Sequence, residues 1–170
     1  MSKPVPSVDA WLKEAKDHES APLCGMYLTH NGTVRQTAKA AVRYGAENTQ
    51  AVTGMLFSYD EAKVNAVIAD AYKLEGIYYI KVWLNEGELN MGDDIMYVLI
   101  GGDIRPRVVD ALQYLVSRVK NECVVETELN SYDTLGKMRG VPRPPLRRPA
   151  HRLCRRRICH EAAEHRLFRQ

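Results

Sequence analysis

Apolar residues recur along the chain at two periods, and the switches between them lay out the elements. Val8, Trp11, Leu12 and Ala15 fall on one face of a helical projection behind Ser7, which can cap it. This predicts a short amphipathic helix docked on the body. Leu23 to Thr29 reads as a strand, ended by the Asn31-Gly32 turn signal within His30-Asn31-Gly32-Thr33-Val34-Arg35. Gln50 to Tyr59, rich in Val, Thr and aromatics, predicts a second strand. Asp60 is placed to cap a helix in which Val64, Val67, Ile68 and Ala71 keep the spacing of a buried stripe. Ile77 to Leu84 closes at Glu86-Gly87, and Asp94 to Ile100 closes at Gly101-Gly102; both are apolar runs that predict core strands. Asp103 can then cap a helix with Pro106 in its first turn, where the missing N–H costs nothing. Val108, Leu112, Leu115, Val116 and Val119 mark its buried face to about Lys120, and Glu122 to Leu129 resumes a strand pattern.

The resulting order, α, β, β, α, β, β, α, β, mixes hairpin-like turns with helical crossovers. It favours an α+β fold with a mixed or antiparallel sheet packed by helices over a doubly wound parallel sheet. A chain of 170 residues, 45% hydrophobic and 26% charged, suits one domain with a real core. No stretch reaches the roughly 18–20 apolar residues of a membrane span, and MSKPVPSVDAW has no signal-peptide core, so a cytoplasmic protein is expected. Four scattered cysteines suggest reduced thiols, with Cys24 and Cys123 as small core hydrophobes.

Charge changes this picture at one point, because the net +3 conceals two different objects. Residues 1–136 hold 13 Lys/Arg against 19 Asp/Glu, whereas residues 137–170 hold 11 against 2 and are rich in Arg and Pro. The expected organisation is an N-terminal helical segment at 1–21, a folded domain at 22–136 and a basic, disordered tail at 137–170. Cys154, Cys159, His160 and His165 have a spacing that permits zinc, but ordinary zinc modules close over a small core that this tail lacks. No metal site is therefore expected. Nucleic-acid binding through Arg152, Arg155, Arg156 and Arg157 would be non-specific and ranks last among the functions considered.

The chain has no nucleotide-binding glycine pattern, nucleophile elbow or HExxH helix, so the common motif enzymes are unsupported. Three basic residues stand out by position. Arg35, just after a turn, has a planar fork that suits phosphate or carboxylate; it can equally be an exposed loop arginine. Arg105, at a helix start after two glycines, can bind an anion with the free N–H groups there, and Arg107 is as likely to be the solvated one. Lys120 can simply complement the helix dipole, or it can act as a base or nucleophile once burial or nearby cations lower its pKa.

His30 to Arg35, Ser58-Tyr59-Asp60-Glu61, Gly87-Glu88-Leu89 with Gly92-Asp93-Asp94, and the helix from Arg105 to Lys120 resemble, in order and spacing, the catalytic large subunit of molybdopterin synthase, the MoaE family. The resemblance spans residues 22–128. It implies a hammerhead α+β fold for a catalytic domain at 22–136, and a homodimer within a heterotetramer. A small ubiquitin-like sulfur-carrier subunit would dock at each end and thread its C-terminal Gly-Gly thiocarboxylate into a pocket. Two sulfur transfers would convert cyclic pyranopterin monophosphate into the dithiolene of molybdopterin, with no cofactor and no metal. By this resemblance Lys120 is the catalytic amine, and Arg35 and Arg105 hold the phosphate and the developing charge.

The sequence departs from the family at several of these positions. The family carries a second lysine seven residues beyond the first, in a Pro-aromatic-Trp-Lys segment, where this chain has Thr127 after Val124, Val125 and Glu126. Ile104-Arg105 and Leu84-Asn85 stand where the family tends to have His-Arg. Lys137 and Arg139 are candidate supporting groups alongside Thr127. The alternative function is a synthase-like scaffold that still docks the carrier with weakened catalysis.

Overall fold

The computed structural model describes residues 3–47 and 49–130. Helix α1 (Val8–Asp17) opens on Ser7, whose hydroxyl accepts a hydrogen bond from the Ala10 amide at 3.2 Å. Its apolar stripe buries Trp11 and Ala15 against Tyr79 and Leu99, with Tyr27, Trp83 and Tyr97 packed alongside. A 3-10 turn at Ala21–Leu23, led by a proline, then delivers the chain to strand β1 (Met26–Thr33).

The Asn-Gly signal does not end that strand. Strand β1 runs straight through Asn31 and Gly32, paired antiparallel with β5 (Asp94–Gly102) and shifted by a bulge between Gly32 and Thr33. The type I′ hairpin turn that Asn-Gly favours needs left-handed backbone at both central residues. Gly32 is not among the glycines with positive φ, which are Gly45, Gly76, Gly87 and Gly92. The Asn31 amide instead donates across the pair to Asp94 Oδ1 at 2.9 Å and the Tyr97 hydroxyl at 2.8 Å.

Two further elements carry no periodic signal in the sequence. Helix α2 (Lys39–Tyr44) has six residues and buries none of them, so it leaves no apolar stripe to detect. Strand β4 (Gly87–Asn90) is four residues long and opens on a glycine. The remaining elements fall where the periodicity predicts: β2 (Val52–Tyr59), α3 (Glu61–Ala71), β3 (Ile77–Leu84), α4 (Arg105–Arg118) and β6 (Val124–Asn130).

Among the described residues, six strands form two three-stranded antiparallel sheets, ordered β1-β5-β3 and β4-β2-β6. One core joins both to α3 and α4 through Phe57, Leu89, Val67, Val98, Ile100 and Leu115. This is the α+β class, with helices packed on antiparallel sheets. No helix among the described residues is long and apolar enough to cross a membrane.

Both ends of α4 differ in detail from expectation. Ile104, with no side-chain cap, is the N-cap residue. The Asp103 carboxylate accepts from the Ile104 amide at 2.6 Å and pairs with Arg107, so it ties the helix start to its own first turn. At the other end α-helical bonding stops at Arg118, and Val119–Cys123 form a π-turn that contains Lys120. Such widened turns insert an extra residue into the helical ladder and recur at functional sites.

Candidate functional site

A polar cavity of about 80 Å³ opens where the ends of the two sheets meet. Met55 from β2 and Ile95 from β5 form its apolar floor. The end of β1 and the residues after it supply Thr33 and Arg35, and α2 supplies Lys39 and Arg43. The π-turn adds Lys120, and β6 adds Glu126 and Glu128. Four cations thus face two carboxylates, an excess of positive charge in a molecule whose first 136 residues are acidic.

Apart from Arg43, each charged group is held by a definable contact. Arg35 donates from Nε to the Thr37 carbonyl at 3.0 Å, which fixes the plane of its guanidinium. The Glu128 carboxylate accepts from the Lys39 amide at 2.8 and 3.2 Å, capping α2 where Ala38 offers no side chain to do so. Glu126 lies between two ammonium groups, with Lys39 Nζ 3.3 Å from Oε2 and Lys120 Nζ 3.9 Å from Oε1. Its side chain is 14% exposed and that of Lys120 35%, so this interaction is shielded from bulk water. Arg43 lies one helical turn beyond Lys39, on the same face of α2.

His30 borders this group from the core side. It shares a second cavity with Leu112, Gln113, Val116 and Ser117 of α4, and its Nε2 is buried without a hydrogen-bond partner among the described residues. Burial, reinforced by the Lys120 charge, holds its pKa below the ordinary histidine value.

Of the residues singled out in the sequence, Arg35 and Lys120 come together in the polar cavity. Arg105 does not. It is the exposed first residue of α4, and fifteen residues of helix at about 1.5 Å each put it roughly 22 Å from Lys120. Its neighbour Arg107 is partly exposed and ion-paired to Asp103 and Glu75. Thr127 pairs with Leu56 on the opposite face of the sheet from Glu126 and Glu128, because side chains alternate along a strand. Lys137, Arg139 and the cysteines and histidines of the tail lie outside the described residues. Among the described residues no group of three or more His, Cys, Asp or Glu is arranged to hold a metal ion.

The sequence reading missed Lys39, Arg43, Glu126 and Glu128. A signal for each pair exists. Lys39 and Arg43 have the four-residue spacing that puts two side chains on one helical face, and Glu126 and Glu128 the two-residue spacing that puts two on one strand face. Neither spacing reveals that the two faces look at each other.

Comparison with known proteins gives a consistent result. The MoaE protein family model matches residues 5–122, more than two-thirds of the chain. No curated protein sequence is significantly similar to it. Among solved structures, molybdopterin synthase from Staphylococcus aureus superimposes with a TM-score of 0.59 at 16% identity, over 76% of this chain and 88% of that one. A molybdopterin biosynthesis MoaE protein from Burkholderia ambifaria gives 0.57 at 16% identity, over 75% and 82%. The complex of subunits 1 and 2 of the molybdopterin-converting factor from Helicobacter pylori gives 0.53 at 16% identity, over 74% and 80%. Identities this low speak to the fold, while the family model speaks to descent. The chain therefore belongs to the MoaE family, the catalytic large subunits of molybdopterin synthase in molybdenum cofactor biosynthesis.

Proposed function

We propose that the cationic cavity is the sulfur-transfer site, where this subunit grips the anionic end of cyclic pyranopterin monophosphate while sulfur arrives from a small carrier protein. The observation behind this reading is that Lys120 and Arg35, 85 residues apart in sequence, line one cavity together with Lys39 and Arg43. Phosphate binding asks for several converging cations, and an arginine with one edge fixed by a backbone carbonyl is prepared for it. Sulfur transfer to the pterin side chain asks for an amine that can move a proton beside the acceptor carbons, and Lys120 is the candidate. The sulfur source is the thiocarboxylated C-terminal Gly-Gly of a ubiquitin-like partner, the counterpart of the small subunit in the Helicobacter pylori complex.

The size of the cavity bears on assembly. At about 80 Å³ it is well short of the roughly 300–1,000 Å³ of sites that enclose whole small molecules. One chain thus takes the charged end of the ligand, and other surfaces must cover the rest. A homodimer with a carrier subunit at each end, working in the cytoplasm, supplies those surfaces.

Purified chain, thiocarboxylated carrier and cyclic pyranopterin monophosphate should together yield molybdopterin. Lys120→Ala should lower the rate about 10²–10⁴-fold, the usual contribution of a positioned acid or base. An unchanged rate would remove Lys120 from the mechanism. A wild-type chain that binds carrier but forms no product would instead identify a scaffold.

A further inference from the structure

We propose that Glu126 is a positioning residue and internal counter-ion of this cavity. It holds Lys39 and Lys120 together as a pair of amines and occupies the place that the ligand's anionic group takes on binding. The proposal rests on reading the cavity as the transfer site.

Two ammonium groups repel, and nothing in their own elements would bring the lysine of α2 next to the lysine of the π-turn. The Glu126 carboxylate does so by dividing its oxygens, Oε2 toward Lys39 at 3.3 Å and Oε1 toward Lys120 at 3.9 Å. Lys39 is fixed a second time by the same strand, since Glu128 accepts from its backbone amide. The placement of this amine is therefore dictated by β6 on both counts. A phosphate or thiocarboxylate oxygen is the same kind of partner as a carboxylate oxygen, so an entering anion competes with Glu126 for the same donors.

The other two cations give that anion a way in. Among the described residues, Arg35 engages only a backbone carbonyl through Nε, and Arg43 has no carboxylate partner. Both can meet the ligand before the lysines are released. Lys39 then stands beside Lys120 as a second amine of the site, reached from α2 rather than from β6, where Thr127 faces away.

The test compares wild-type chain with Glu126→Gln, which keeps the shape and removes the charge. The readouts are calorimetric binding of inorganic pyrophosphate to the chain alone, and kcat and KM for molybdopterin formation with carrier. Loss of the competing charge should tighten pyrophosphate binding about 10-fold, the size of one charge-assisted contact, and lower KM. It should also lower kcat about 10-fold, because the two amines are no longer held in register. Lys39→Ala should weaken pyrophosphate binding, and Lys39→Arg should restore that binding without restoring kcat. A purely structural glutamate would lower the melting temperature and weaken binding and turnover together, and that outcome overturns the proposal. So does a pyrophosphate affinity that Glu126→Gln leaves unchanged. If the wild type makes no molybdopterin yet Glu126→Gln tightens pyrophosphate binding, the transfer reading falls and the counter-ion role of Glu126 stands. If turnover is normal and the affinity does not move, the reverse holds.

Discussion

His30 is half-buried, yet one of its ring nitrogens carries a cost. Its buried Nε2, without a partner among the described residues, forfeits about 1–3 kcal/mol of hydration. Phenylalanine has a flat ring somewhat larger than imidazole and without its polar atoms, and the adjoining cavity leaves room for it. His30→Phe should therefore raise the melting temperature at neutral pH by a few degrees. It should also change the acid limb. Because the folded-state pKa is depressed below 6.5, the unfolded chain takes up the proton more readily. The stability of the neutral form is complete above about pH 6.5 and declines as pH falls toward the folded-state value. Melting curves between pH 7.5 and 5 should show a shallower decline in the variant than in the wild type. A parallel decline would mean that His30 is not the titrating group. At this scale the sequence pointed to Lys120 from its place at the end of a helix, and to Arg35 from an Asn-Gly signal that lies inside β1 instead of ending it. It concealed Glu126 and Glu128, because a strand's pattern shows two faces without saying which one meets a distant helix.

Among the elements, those with a sustained period were legible and those held by a few contacts were not. Strand β3 lies over the very residues that its apolar run predicts, and α3 begins at the aspartate chosen as its cap. Helix α2 escaped because its anchor, Glu128, lies 89 residues away. Strand β5 was read as ending before Gly101 and Gly102, yet both belong to it. Their role is close approach rather than termination. A Cβ on Gly102 would stand 2.5 Å from the Gly76 carbonyl and 2.6 Å from Val108 Cγ2, so a side chain here would push α4 off the sheet. Gly102→Ala should cost about 1–3 kcal/mol in denaturant melts, the range for overpacking a tight core. An unperturbed midpoint would show that α4 has slack at its start.

For the whole molecule, the order of elements was enough to place the chain in the α+β class, whereas the site could not be assembled by counting residues. Arg105 makes the point. It shares a helix with Lys120 but sits some 22 Å away, several times the reach of an arginine side chain. In the proposed homodimer it can serve only the pocket of the other copy. Mixing inactive Lys120→Ala with inactive Arg105→Ala protein and allowing subunits to exchange should then restore part of the activity, since a mixed dimer contains one complete pocket. No recovery would mean that Arg105 lies outside the site.

The π-turn at Val119–Cys123 gives the pocket an unusual kind of genetic sensitivity. It sets the phase in which β6 enters the sheet, and phase decides which alternate residues look inward. Losing a single residue there after Lys120, with strand pairing otherwise kept, would replace Glu126 and Glu128 in the cavity with Thr127 and Leu129. Both carboxylates would vanish and the four cations would remain. A one-codon deletion could thus alter the electrostatic character of the site more than any single substitution, making chain length in this short stretch an inherited control over what the cavity will hold.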